Sequence, residues 1–99
     1  MEERDYYIVL YDLYSTLFSM KQKDFFEDYY FNNLSLSEIS ENVGISRNAI
    51  HKCIKSIEKK LLFYEDCLKL YKKSLELNDI VKSISDENIK KKLEGLFYE

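Results

Sequence analysis

The strongest constraint on this chain is what it lacks: of its 99 residues none is proline, and only Gly44 and Gly95 are glycine. At ordinary usage a chain of this length would carry roughly a dozen of the two together. Sheets depend on many tight turns, and those turns draw heavily on Gly, Pro and Asn. A sandwich, a barrel or a doubly wound sheet is therefore excluded in favour of an all-α fold with few turns and at least one long helix.

Charged residues make up 33% and apolar residues 45% of the chain, which suits a helical domain with a modest core and is too apolar for a disordered segment. No stretch approaches the ~20 apolar residues that a membrane span needs. The opening Met-Glu-Glu-Arg-Asp has no secretory character, so a cytoplasmic, reducing location is expected. In one continuous helix Cys53 and Cys67 would lie about 21 Å apart, too far to bridge within the chain.

The net charge of −3 hides a strong asymmetry. Residues 1–46 carry three basic and nine acidic side chains, residues 47–73 carry eight and three, and residues 74–99 carry four and six. Positive charge is thus concentrated in one central segment.

Helical periodicity and start signals divide the chain further. A first helix over about 3–18 places Tyr7, Leu10, Tyr14 and Leu17 at helical spacing, with Tyr11 and Phe18 beside them. Ser19 with Gln22 and Ser35 with Glu38 have the spacing of capping boxes, each opening a helix. The second of these helices is short, about 36–42, and stops at Gly44. Ser46 caps the next, which meets no breaker until Asn78-Asp79. A short piece near 79–84 and a last helix after Ser85, over about 86–98, complete a single helical domain spanning 1–99. The aromatic clusters could stack bases, but their spacing on acidic helices fits a small core with polar handles better.

Residues 36–54 carry the functional signal. Ile39 and Val43 form the inner face of a first short helix, and small Ser40 allows close approach of a second. Gly44 supplies the left-handed backbone of the turn, Ile45 plugs it into the core, and Ile50, Cys53 and Ile54 make the inner face of the second helix. These offsets define a helix-turn-helix over about 35–56. The outward face then holds Arg47, Asn48, His51, Lys52 and Lys55, with Lys59 one turn further on. In such a unit Arg and Asn read base edges, while lysines neutralise phosphate.

No nucleophile with a base, no glycine-rich phosphate loop and no metal-ligand spacing accompanies the lone His51. No catalysis, cofactor or metal is expected.

The recognition helix is expected to continue over about 47–77. Ile50, Ile54, Ile57, Leu61, Tyr64, Leu68, Tyr71 and Leu75 follow a 4-3-4-3 seam. A second apolar set, Leu62, Phe63, Cys67, Leu70 and Leu77, broadens the stripe. One stripe can face the chain's own bundle and the other a second copy, which points to a homodimer. The expected architecture is a helix-turn-helix, winged-helix-like without a wing, whose long recognition helix extends into a coiled-coil-like bundle.

The aromatic first helix, Lys21-Gln22-Lys23 leading to Tyr29-Tyr30, Leu34 through Ser40, Ile45 through Ile50, and the later Ile54-Lys55, Glu58 through Leu61 and Tyr64-Glu65 closely resemble the YlxM family of small bacterial helix-turn-helix proteins. The resemblance covers about residues 4–75; the tail after Leu77 matches less closely, and Ser40 stands where alanine is common. That family's helix-turn-helix is similar to region 4 of bacterial sigma factors, which implies DNA binding and a regulatory role. Its genes tend to lie beside those for the signal recognition particle's GTPase and its receptor. The resemblance therefore implies an alternative as an accessory module of that particle, with protein or RNA as partner.

Overall fold

The computed structural model describes residues 1–96, which form six α-helices and no strand. They fold as two compact units, Met1–Cys67 and a second from Leu68 onward. In the first unit α1 (Glu3–Tyr14) is followed by a 3-10 turn (Ser15–Leu17), then α2 (Met20–Tyr30), α3 (Leu36–Val43) and α4 (Arg47–Leu68). The second unit holds α5 (Leu70–Lys82) and α6 (Glu87–Glu94), packed on one another.

Both expected capping boxes form. Ser19 Oγ accepts from the Gln22 amide at 3.2 Å while Gln22 Oε1 accepts from the Ser19 amide at 2.9 Å. Ser35 and Glu38 make the same reciprocal pair, both bonds at 3.0 Å. Each pair satisfies two amides that a helix start otherwise leaves open.

The core of the first unit is built from helical stripes. Leu10 and Tyr14 of α1, Phe26 of α2, Ile39 of α3, and Ile50, Ile54, Ile57 and Leu61 of α4 are its fully buried side chains. Aromatic rings tie α1 to α2: Tyr11 stacks on Phe26 at 4.2 Å between centroids, and Phe26 on Tyr30 at 4.3 Å. The tyrosines keep their polar ends satisfied, as the aromatic core reading requires. Tyr11 donates to Glu27 and Tyr14 donates to Glu65 at 2.7 Å. Arg4 closes the C-terminal end of α2, donating to the carbonyls of Tyr29 at 3.2 Å and Tyr30 at 3.0 Å while its guanidinium lies 4.6 Å from the Tyr30 ring centre. A cation is well placed at a helix C-terminus, where unpaired carbonyls accumulate.

Two expected boundaries are corrected. The continuous helix over 47–77 is two helices, because Lys69 adopts a left-handed backbone, φ 56° and ψ 35°. The 4-3-4-3 seam therefore runs along one helix only as far as Leu68. Asn78-Asp79 does not end a helix, since α5 continues to Lys82. The last helix begins after Ser85 as expected, with Asp86 as its cap: Asp86 Oδ1 accepts from the amides of Asn88 at 2.9 Å and Ile89 at 3.3 Å. Its expected end at 98 lies outside the described residues.

Candidate nucleic-acid interface

The turn between α3 and α4 is held by three short-range devices. Gly44 takes φ 70° and ψ 26°, and its amide donates to the Ser40 carbonyl at 2.9 Å. Ser40 contributes more than small size: its hydroxyl donates to the Ile45 carbonyl at 2.6 Å, bridging the turn from one side to the other. Ser46 Oγ then accepts from the Ala49 amide at 3.2 Å and starts α4. Ile39 before the turn and Ile50 after it are both fully buried, so the two helices are anchored on either side.

Two expected core positions sit differently. Val43 is 44% exposed; as the last residue of α3 it lies one turn beyond Ile39, past the covered part of that helix. Cys53 is half-buried, and burial pushes its thiol up despite the opposing influence of Lys21 and Lys60.

Arg47, Asn48, His51, Lys52, Lys55 and Lys59 are all exposed. At about 100° per residue they occupy an arc of roughly 140° on α4, its centre about 120° round the helix from that of the buried Ile50, Ile54, Ile57 and Leu61. The structure thus brings all six together on one face. Among the described residues the side chains of Arg47, Asn48, His51, Lys52 and Lys59 form no intramolecular hydrogen bond or ion pair. Lys55 differs: its Nζ lies 3.2 Å from Glu58 Oε1.

Glu58 is the residue that sequence reasoning missed. It is buried, and its other oxygen accepts the phenol of Tyr30 from α2 at 2.5 Å. Burial first, then the bond to Glu58 and its charge, push the Tyr30 phenol well above its ordinary value, against a lowering by Arg4. Tyr30 therefore stays protonated and donates. The available sequence signal was position: Glu58 adjoins Ile57 and follows Ile54 by four, at the edge of the buried stripe.

Further along α4 the exposed character changes from basic to apolar. Leu62 is 42% and Phe63 is 63% exposed. Beside the turn, α3 presents exposed Glu38 and Glu41, of which Glu38 is occupied in its capping box. Among the described residues no three His, Cys, Asp or Glu side chains are placed to hold a metal ion. Nor, among them, is any helix long and apolar enough to cross a membrane.

Residues 1–96 match the model of the UPF0122 family, described as "Putative helix-turn-helix protein, YlxM / p13 like". The chain belongs to this family. A UPF0122 protein of Ureaplasma parvum serovar 3 is 40% identical over 94 residues, 95% of either chain. One from Fusobacterium nucleatum is 45% identical over 91 residues, 88% of either chain. One from Caldanaerobacter subterraneus is 42% identical over 78 residues, 79% of this chain and 67% of its own. No solved structure matches the chain. As a UPF0122 protein, the chain is a helix-turn-helix protein with an all-α fold.

Proposed function

We propose that this UPF0122 protein is a cytoplasmic DNA-binding regulator that sets the first turns of α4 in the major groove. One observation carries the reading: directly after the Gly44 turn, six polar and basic side chains share one exposed face of a helix whose other side holds the core stripe. Arg47 is suited to a guanine edge and Asn48 to an adenine edge, with His51 as a further base-edge contact. Lys52 and Lys59 neutralise phosphate, and Lys55 lies between them. The family resemblance implies a helix-turn-helix like that of sigma-factor region 4, which points the same way. The exposed Leu62 and Phe63 provide a face for a second copy, and a homodimer would present two such helices to paired half-sites.

The test is binding of duplex DNA, random and selected, by fluorescence anisotropy with Arg47→Ala and Lys52→Ala variants. Arg47→Ala should cost about 1–3 kcal/mol on the selected site and relax its preference there. Lys52→Ala should weaken both duplexes alike.

A second reading draws on the acid beside the turn. Glu41 on α3 faces solvent next to the recognition helix, where a helix-turn-helix crosses the phosphate backbone. That charge opposes a phosphate backbone and suits an accessory module of the signal recognition particle that binds its GTPase; the particle's RNA would have to meet the basic face of α4 instead. Competition between duplex DNA and the particle's RNA or GTPase separates the two: preferential capture by the particle, with only sequence-indifferent DNA binding, favours the second.

A further inference from the structure

We infer that Glu58 withholds Lys55 from phosphate, so that it acts as a positioning residue limiting the electrostatic reach of the α4 face. The inference rests on the DNA-binding reading and specifies how that face is restrained. Lys55 looks from its spacing like an equal member of the basic stripe, but its surroundings differ from those of Lys52 and Lys59. Its ammonium lies 3.2 Å from Glu58, and the side chains are 57% and 8% exposed respectively. The cation faces water while the anion does not.

That difference decides which partner Lys55 keeps. An ion pair between two exposed side chains is weak and easily exchanged. Here one oxygen of a nearly buried carboxylate is held by Tyr30 at 2.5 Å and the other by Lys55. Moving Lys55 to a phosphate would leave Glu58 charged, largely out of water and one partner short, and an unpaired buried charge is strongly unfavourable. No equivalent carboxylate engages Lys52 or Lys59 among the described residues. The Tyr30 bond also ties Glu58 to α2, so the carboxylate cannot simply follow Lys55 outward. Its negative charge lies beside the groove-facing arc as well, opposing close approach of phosphate.

The test reads the salt dependence of duplex binding. Each phosphate neutralised contributes about 0.9 to the slope of log affinity against log salt on B-form DNA. Wild type is compared with Lys52→Ala, Lys55→Ala, Glu58→Gln and the Glu58→Gln/Lys55→Ala double variant. Glutamine keeps an oxygen for the Tyr30 phenol but carries no charge to hold the lysine. We expect Lys52→Ala to lower the slope by about 0.9 and Lys55→Ala to leave it at the wild-type value. Glu58→Gln should steepen the slope by about 0.9, and the double variant should return it to wild type because the gain requires Lys55. A Lys55→Ala slope as low as that of Lys52→Ala overturns the inference, and so does a gain in Glu58→Gln that survives loss of Lys55. Should Glu58→Gln fail to fold by circular dichroism, the comparison of Lys55→Ala with Lys52→Ala decides alone. If instead wild type shows no salt-dependent duplex binding, or Arg47→Ala and Lys52→Ala leave it unchanged, the DNA-binding reading itself falls.

Discussion

The phenol of Tyr30 on α2 lies 2.5 Å from the carboxylate of Glu58 on α4, and both residues are buried. Their hydrogen bond fastens α4 to the aromatic core. Removing the phenol leaves a buried carboxylate with one fewer donor. Tyr30→Phe should therefore destabilise the protein by about 1–3 kcal/mol in urea unfolding, the cost of an unsatisfied buried polar group. Tyr11→Phe, which loses a less buried bond to Glu27, should cost less. Equal costs for the two would contradict a special role for the Tyr30–Glu58 pair.

The same environment makes the fold sensitive to base. Burial raises the phenols of Tyr30, Tyr11 and Tyr7 above their ordinary value of 10.0, with Glu58, Glu27 and Glu3 respectively adding to the effect. A group protonated more tightly in the folded state contributes stability that is complete below the unfolded value. That contribution is lost as pH rises toward the folded value. Unfolding free energy should thus fall progressively above about pH 10, and a Tyr11→Phe/Tyr30→Phe variant should show a shallower fall. An unchanged slope in that variant would assign the base sensitivity elsewhere.

Backbone handedness at the turn gives a separate prediction. A Cβ at Gly44 would meet nothing within 4 Å, so its φ of +70° is the sole obstacle to a side chain. Gly44→Ala should cost about 1–2 kcal/mol, the penalty of a left-handed residue. Gly44→Asn should cost less, because asparagine visits that region more readily. A neutral Gly44→Ala in urea unfolding would mean that the turn relaxes to another geometry.

Association is tested at Phe63. Phe63→Glu places a charge on an already exposed position, so the fold should survive with little change. If the apolar end of α4 joins two copies, wild type should scatter light as a dimer at micromolar concentration and Phe63→Glu as a monomer. A monomeric wild type would remove the dimer from the account.

What could be read ahead from the sequence followed physical range. Ser19–Gln22, Ser35–Glu38, Gly44 and Ser46 act within four residues, and each appears where its spacing placed it. The buried stripe Ile50–Ile54–Ile57–Leu61 was equally legible, since helical period alone assigns its face. The break at Lys69 was not: no glycine or proline marks it, and one left-handed lysine costs only about 1–2 kcal/mol, which packing can absorb without leaving a compositional trace. Continuation of α5 through Asn78-Asp79 is the converse, a weak local preference overridden. The six candidate contact residues were legible as one helical face, but the distinction among them was not. Lys55 differs from Lys52 only through Glu58, and Glu58 is held by Tyr30, 28 residues away. Helical period shows the three-residue spacing of Lys55 and Glu58, but not the bond to Tyr30 that holds Glu58 in place.

The most direct test of the central claim is the salt slope of duplex DNA binding for wild type and for Lys52→Ala. If the exposed face of α4 meets the phosphate backbone, wild-type affinity should fall steeply and linearly on logarithmic axes as salt rises. The slope of Lys52→Ala should be lower by about 0.9. A wild-type protein that does not bind duplex DNA at low salt, or a Lys52→Ala slope identical to wild type, would contradict the assignment of this face to DNA.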